Sequence, residues 1–595
     1  MRQSFLYRFL LREWRLPVLL CCLLTMGQAR AQAPAWQAAE LVGLPDANGG
    51  SSSIVTATAT DANGNVYVAG TFYGTVTVGA TTLTNGFMGN TTGAFVAKWS
   101  PVSRSFAWAQ RIYGSGSEDV TGLAVSGVHV YVSGTFYGRN VVFGNALSLT
   151  NAGPTGGDVF VAQLTDTGPS ASFTWAQRAG GTGADYASGL AVDGANVYLT
   201  GTIASPAAQF GGTTLSTAGI DAFVAKLTDT GPGTAFVWAK QARGDSGNYG
   251  AAIAVNGPNV YVAGDFQGTV AFDGATLVNA DASRNSSDVF VAQLADAGPT
   301  ASFTWAQRAG GIGQEQVQSV GVRGADVYVG GAFFGSTTAF GSTSLTNAGP
   351  APTGDVFVAK LTDAGASGAF RWAQRAGGRD DDRSTRMGVN GTGVYLVGYF
   401  GGAATTADFG NTVLSNAGFG AFSTDGFVAK LIDAGGSGFF AWAVGAGGTR
   451  EDRAYAVAVA GAKLYVVGFV APPATFGGVT LPRSPAANGT VGFLASLTDN
   501  AALATASPVS NAPALTLFPN PASGTVKIKL SAFTGATHAT LTLTDALGRE
   551  VGRQAVPLPT AGLLYDLPLA GLPSGVYGLH VQAGELTVVQ KLVIE

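Results

Sequence analysis

The chain is poor in the residues that most often carry chemistry. Of its 595 residues, 2 are Cys and 3 are His. The cysteines are adjacent, Cys21 and Cys22, which leaves no disulfide framework and excludes most zinc sites. Only 11% of residues are charged, the net charge is -4 and the pI is near 5.5, so the basic footprint of a nucleic-acid binder is missing. No apolar run reaches the roughly 20 residues that a spanning helix needs. No segment keeps a 3.6-residue apolar period, so helices are expected to be scarce. Gly-x-Ser-x-Gly, His-Glu-x-x-His, P-loop and Ser-x-Asp-x-Gly-x-x-Trp patterns are absent. What the chain does have is 87 Gly and a hydrophobic fraction of 46%. That is too apolar for disorder, and long enough for one large closed domain or several smaller ones.

The first 31 residues read as an address. Arg2, Arg8, Arg12 and Arg15 precede the apolar run Leu16 to Met26, and Ala29-Arg30-Ala31 offers a cleavage site. This is the pattern of a secretory signal peptide. Lipid attachment at Cys21 is disfavoured because Leu19 and Leu20, not a small residue, precede it. Cleavage after Ala31 leaves 27 Lys and Arg against 35 Asp and Glu, a charge of -8, and no cysteine.

An internal repeat dominates the rest. Trp36, Trp108, Trp175, Trp238, Trp305, Trp372 and Trp442 recur at spacings of 72, 67, 63, 67, 67 and 70. Tyr67, Tyr131, Tyr198, Tyr261, Tyr328, Tyr395 and Tyr465 mark a Val-Tyr-Val-x-Gly run, and Phe95, Phe160, Phe223, Phe290, Phe357, Phe427 and Phe493 mark Asp-Val-Phe-Val-Ala-Lys-Leu. Three anchors each count seven. Each repeat reads as four short strands parted by Gly, Asn, Asp and Pro turns; near Trp175 these are 173–178, 188–192, 196–201 and 221–227. The expected fold is all-β, a seven-bladed β-propeller of four-stranded blades over residues 32–499. The array opens on the Trp36 strand and closes on the Phe493 strand, so the N-terminal strand would complete the last blade as a clasp. An open solenoid is the rival, and it would need capping repeats that are not seen.

The runs 196–201 and 221–227, with the Phe-x-Trp-Ala strand and its Gly-Gly, resemble SBBP-type β-propeller repeats. That resemblance implies a fold and no defined activity. The repeats here average about 66 residues, and the added length includes a hairpin-like segment at 210–215.

Residues 500–512 read as a linker. From Pro513 the composition changes, and 526–530, 539–544, 575–581 and 587–594 alternate as strands of a small immunoglobulin-like sandwich. Phe518-Pro519-Asn520-Pro521, Asp545-Ala546-Leu547-Gly548-Arg549 and Leu572-Pro573-Ser574-Gly575-Val576-Tyr577, with the apolar end 590–595, resemble the type A C-terminal sorting domain of type IX secretion. The resemblance implies export through a type IX translocon to the medium or the outer surface of a Gram-negative-type envelope, with anionic lipopolysaccharide as the anchor where the passenger is retained.

Candidate chemistry is sparse. Ten residues after each Trp stand Asp46, Glu118, Asp185, Asn248, Glu315, Asp382 and Asp452. A ring of carboxylates at a channel mouth would suit a cation, with calcium as the one cofactor the pattern allows. Alternatively, each carboxylate caps its own turn or pairs with Arg111, Arg178, Arg308 or Arg375. The apolar positions Phe72, Phe136, Ile203, Phe266, Phe333, Phe400 and Val470 read as core. The next positions vary, and Tyr73, Tyr137 and Phe334 among them could stack on a sugar or a protein. His129 reads as a strand residue. The loop 379–383 departs most from the other repeats. The reading is an exported, monomeric, non-catalytic binding, adhesion or structural protein; the alternative is a secreted carbohydrate-active enzyme.

Overall fold

The computed structural model describes residues 33–499 and 515–595, apart from 47–49, 87–90, 146, 154, 392, 403–405, 419, 421–422, 483–488, 531–536, 546–548, 560–562 and 584–585. The signal segment, the linker 500–512 and Gly548 lie outside the described residues. The chain divides into two compact units, Met1–Leu503 and Ala504–Glu595. All regular structure among the described residues is strand.

In the first unit one four-stranded antiparallel sheet follows another. A representative sheet runs Asp185–Asp193, Asn196–Ile203, Asp221–Thr228, Ala235–Gly244, each strand pairing with the next. The strands run a few residues beyond those expected from sequence. The second and third strands are buried almost throughout, as their unbroken Val, Phe, Ala and Leu runs require. The first strand alternates, with one face in the core. The first strands Ser52–Thr60, Glu118–Ser126, Asp185–Asp193, Asn248–Asn256, Glu315–Arg323, Arg383–Asn390 and Arg453–Ala460 neighbour one another in order, and the last neighbours the first. The final sheet takes its outer strand from the N-terminus: Trp36–Val42 pairs antiparallel with Val491–Thr498.

Each sheet also receives a hairpin. Residues Ala208–Phe210 and Thr213–Leu215 pair with each other and with the outer strand of the preceding sheet, at Ala179 and Gly180. Phe210 meanwhile packs 4.8 Å from Phe223 and 5.4 Å from Phe236 of its own sheet. The added length of the repeat thus covers an outer edge that would otherwise invite strand pairing, and bolts it to the next core.

The strongest tie between sheets is a buried aspartate. Asp296, at the end of a third strand, accepts hydrogen bonds from Tyr198 Oη at 2.7 Å, Lys226 Nζ at 2.6 Å and Trp238 Nε1 at 3.2 Å, all from the preceding sheet, and from Gly298 N at 3.0 Å. Gly298 has φ +87°, so glycine supplies the conformation that returns its N–H to the carboxylate. Asp166 and Asp433 repeat this set with Tyr67, Lys98 and Trp108, and with Tyr328, Lys360 and Trp372. Asp499 receives Tyr395 and Lys430. At Asp229 and Asp363 the Tyr and Trp donate, and Gln163 and Gln293 stand in the lysine position. Where the last sheet meets the first, Pro101 occupies the aspartate position. There Trp99 packs 6.0 Å from Tyr465, and the chain crosses directly as Leu44–Pro45 pairs with Thr75–Val78.

The second unit has two sheets, in the orders 515–518, 525–530, 563–568 and 550–557, 538–544, 575–583, 586–594. They share a core that includes Val526, Ile528, Leu541, Leu579 and Leu592.

Two outcomes follow. Removing residues 33–45 uncovers the edge of the Val491–Thr498 strand and deletes buried Trp36, so the thermal midpoint falls and aggregation rises; equal melts for the truncated and full chains would refute the closure. Asp296→Ala strands buried Lys226 and is expected to cost about 3–5 kcal/mol, whereas Asp363→Ala removes only neutral donors' partner and costs about 1–3 kcal/mol. Denaturant unfolding checks the order, and equal losses would show that the lysine adds nothing.

Candidate functional site

The acidic positions are not a solvent-facing ring. Glu118, Asp185, Asn248 and Glu315 are 0% exposed, Asp382 is 2% and Asp452 is 1%. They turn away from the axis because they start the first strands, or at Asp382 and Asp452 immediately precede them, with the core-facing phase. Asp185 accepts hydrogen bonds from Gly181 N at 2.8 Å, Ala204 N at 3.0 Å, Ser205 N at 3.1 Å and Ser205 Oγ at 2.5 Å. Asp382 and Asp452 likewise take backbone N–H groups of their own loops. The carboxylates are loop caps. Among the described residues no three His, Cys, Asp or Glu side chains gather into a metal-sized group.

Two details of the sequence reading change. Asp46 is not equivalent to the others. Register pairs Ser53 with Phe72, as it pairs Glu118 with Phe136, because the segment after Trp36 is longer; Asp46 instead accepts from Ser51 Oγ at 2.9 Å. The arginines three after Trp pair with a different carboxylate, at the start of the third strand: Arg178 with Asp158, Arg308 with Asp288 and Arg375 with Asp355, at 2.8, 2.6 and 2.9 Å. Arg111 donates to Thr84 O and lies over Tyr113.

These third-strand aspartates also face the loop caps. The space beside Gly377 is bounded by Asp355 Oδ1 and Asp382 Oδ2, and that beside Gly447 by Asp425 Oδ1 and Asp452 Oδ2. Burial, then the neighbouring carboxylate, pushes Glu315 up to about 8. Burial likewise lifts Glu118 to about 9, Asp382 to about 8 and Asp452 to about 7. In the fourth repeat the cap is an amide, and Asn248 Nδ2 donates to Asp221 Oδ1 at 3.1 Å. Asparagine there does with a fixed N–H what a protonated carboxyl does elsewhere.

A cavity of about 580 Å³ lies among the first strands of all the repeats. Tyr186, Tyr249, Gln316 and Tyr455 line it, with Asp265 on a second strand and Arg386 on a first strand. Tyr186, Tyr249 and Gln316 each follow a buried cap by one residue. Strand alternation that sends the cap into the core sends the next side chain to the axis, so the sequence signal lay one position beyond the acidic series. Arg386 donates from Nη2 to Thr121 O at 2.7 Å and Ser188 O at 3.1 Å, on two other first strands. It also lines a second axial cavity of about 190 Å³, beyond the first, and so forms a septum between them.

The sequence-derived aromatics sit around this cavity rather than in it. Tyr137 is 38% exposed and packs 6.2 Å from Tyr186. Phe334 lies under the Arg383 guanidinium at 4.8 Å. Tyr73 is partly buried beside the first sheet's hairpin. His129 is exposed, with its ring next to Gln163.

In the second unit Asn520 Oδ1 accepts from Val593 N at 2.9 Å, while Ala522 exchanges backbone bonds with Val593 and Glu595. The Phe518-Pro519-Asn520-Pro521 turn is therefore fixed to the C-terminal strand. Tyr577, 7% exposed, donates to Pro573 O at 2.7 Å and closes the turn around Gly575. Phe518 itself is 43% exposed.

The cap carboxyls give the first unit a pH dependence of definite sign. The unfolded chain releases these protons at about pH 3.8 for the aspartates and 4.5 for the glutamates, whereas the fold keeps them to about pH 7–9. Between those limits the fold binds more protons, so stability falls as pH rises. The thermal midpoint is expected to be lower at pH 9 than at pH 5, and Glu315→Gln should narrow the difference. A midpoint that rises over this range would overturn the assignment.

Residues 516–595 match the family model described as a secretion system C-terminal sorting domain. None of the curated proteins compared with the chain matches it. Among solved structures, the chain is similar to Trypanosoma rangeli sialidase in complex with sialic acid, at 10% identity and a TM-score of 0.34, covering 94% of this chain and 89% of that one. It is also similar to a mutant Synechocystis apocarotenoid oxygenase, at 9% identity and a TM-score of 0.31, covering 90% and 97%. Likeness at that level carries no inference about activity. Residues 516–595 are a type IX secretion C-terminal sorting domain, which makes this an exported protein that engages that secretion system and reaches the cell surface or the medium.

Proposed function

We propose that residues 33–499 form a closed seven-bladed β-propeller of SBBP-type repeats, and that it is a non-catalytic, monomeric binding module carried outward by an immunoglobulin-like sorting domain. The cyclic order of first strands and the N-terminal strand in the last sheet support closure. The observation that carries the binding reading is the axial cavity, open to Tyr186 and Tyr249, each 38% exposed, on a scaffold that holds the Asp185, Glu315, Asp382 and Asp452 carboxylates in their own loops. Exposed tyrosines on a rigid frame suit a glycan or a protein loop.

A carbohydrate-active enzyme is the second reading, and Asp265 is what favours it. Burial raises its carboxyl to about 7, suited to a general acid. Glycoside hydrolysis needs a second carboxylate across the bond, and among the described lining residues of the cavity Asp265 is the only acid. That supports binding over turnover.

The full exported chain, applied to a glycan array and in parallel to a polysaccharide hydrolysis screen, is expected to bind without releasing reducing ends. Tyr186→Ala with Tyr249→Ala should weaken that binding about tenfold or more and leave the melt unchanged. Turnover lost on Asp265→Asn would establish the enzyme instead.

A further inference from the structure

Arg386 breaks the repeat at its most constrained point. Each first strand carries a bulge at the same register, and the residue after it is Ala57, Gly122, Gly189, Ala252, Ser319 and Ala456 in the other repeats. In the sixth it is Arg386, paired with Val397. Small residues there let the first strands approach closely; a Cβ on Gly122 would lie 2.5 Å from Leu190 Cβ. An arginine at this level can only reach along or across the axis, and it does.

Its charge is not balanced by the protein. Both of its hydrogen bonds leave from Nη2 and end on backbone carbonyls. Among the described residues Nε and Nη1 have no partner, and no carboxylate forms an ion pair with it. Arg386 is partly buried; burial disfavours its cation, and a desolvated cation without a counter-ion is costly. Neighbouring charges on the first strands and their loops are matched. Arg383 pairs with Asp381 at 2.8 Å and Arg453 with Glu451 at 2.6 Å, while Tyr137 hydrogen-bonds Asp119. Asp265 is a second exception. The equivalent positions hold Thr71, Thr135, Thr202, Ala332, Tyr399 and Phe469, and Asp265 has no partner among the described residues.

One cavity of about 580 Å³ therefore holds an unpaired guanidinium on its floor, an unpaired carboxyl on its wall and tyrosine faces beside them. That volume lies inside the ordinary ligand range of about 300–1,000 Å³. A neutral sugar would leave Arg386 unbalanced, and a simple inorganic anion would leave Asp265 and the tyrosines unused. We infer that the cavity takes a carboxylate-bearing saccharide, with its acid group on Arg386 Nε and Nη1, its hydroxyls on Asp265, and its ring faces against Tyr186 and Tyr249. The guanidinium fork matches a carboxylate with two parallel hydrogen bonds.

This rests on the binding reading above and adds the ligand class. Titration calorimetry on the full chain with digalacturonate and a glucuronate disaccharide, against their carboxyl-reduced counterparts and free glutamate, tests it. The acidic disaccharides are expected to bind, and carboxyl reduction to weaken them about tenfold or more. Arg386→Met should do the same with the melt retained, and Asp265→Asn should cost severalfold. Should Arg386→Met fail to fold, the wild-type comparison of acid with reduced sugar still decides. Equal affinity for the reduced sugars, tighter binding of glutamate, or no binding of either acidic disaccharide overturns the proposal. If a neutral glycan binds and is lost on the Tyr186 and Tyr249 substitutions, the ligand class fails while the binding module stands; turnover of any of these sugars sinks the binding reading itself.

Discussion

One carboxylate per junction organises the first unit. Asp296 and its equivalents gather a tyrosine, at five of the six junctions a tryptophan, and at four of the six a lysine from the preceding sheet. Burial alone would raise the Asp296 pKa; the bonds from Lys226, Tyr198, Gly298 and Trp238 outweigh it and hold it below the usual carboxylate range. A hydrophobic contact between sheets is tolerant of sliding, whereas this one is directional, since four donors converge on two oxygens. It sets the position of each sheet against the next, and the cap carboxyls, the hairpins and the axial cavity all inherit that position.

The junction without the aspartate shows why the others need it. Where Pro101 replaces it, the chain itself crosses between last and first sheets, and Trp99 fills against Tyr465. Covalent continuity does there what a buried ion pair does elsewhere. With the ring held at its junctions, the residues that face the axis contribute little to its stability. They are free to differ, and they do: tyrosine, glutamine and arginine follow one another at equivalent places, while the caps one residue earlier are acidic or amide in every repeat but the first, where the cap is Ser53.

The repeat length, the four strands of each sheet, the core positions and the sorting domain could be read from order and spacing, because each depends on neighbours within one repeat. Strand limits near Trp175 fell within a few residues of 173–178 and 196–201. The core aromatics Phe72, Phe136 and Phe333 are buried as their constancy implied. The caps were visible as a series, but their orientation was not. A carboxylate ten residues after a tryptophan looks the same in sequence whether it faces solvent or a backbone amide, and only the pairing of Glu118 with Phe136 decides it.

The sequence by itself determined the strands, their count per repeat and the export signal, since alternation, turn residues and short motifs are local chemistry. Tertiary structure decided which sheet each tryptophan serves, that Ser53 and not Asp46 is the first cap, and that Asp229 is a lock between sheets. It also decided the site. Arg386 and Asp265 stand more than a hundred residues apart, on strands of different sheets, and nothing local marks either one. They share a cavity only because the first strands close upon themselves and leave those two charges facing the same axis, without an opposite charge paired to either among the described residues.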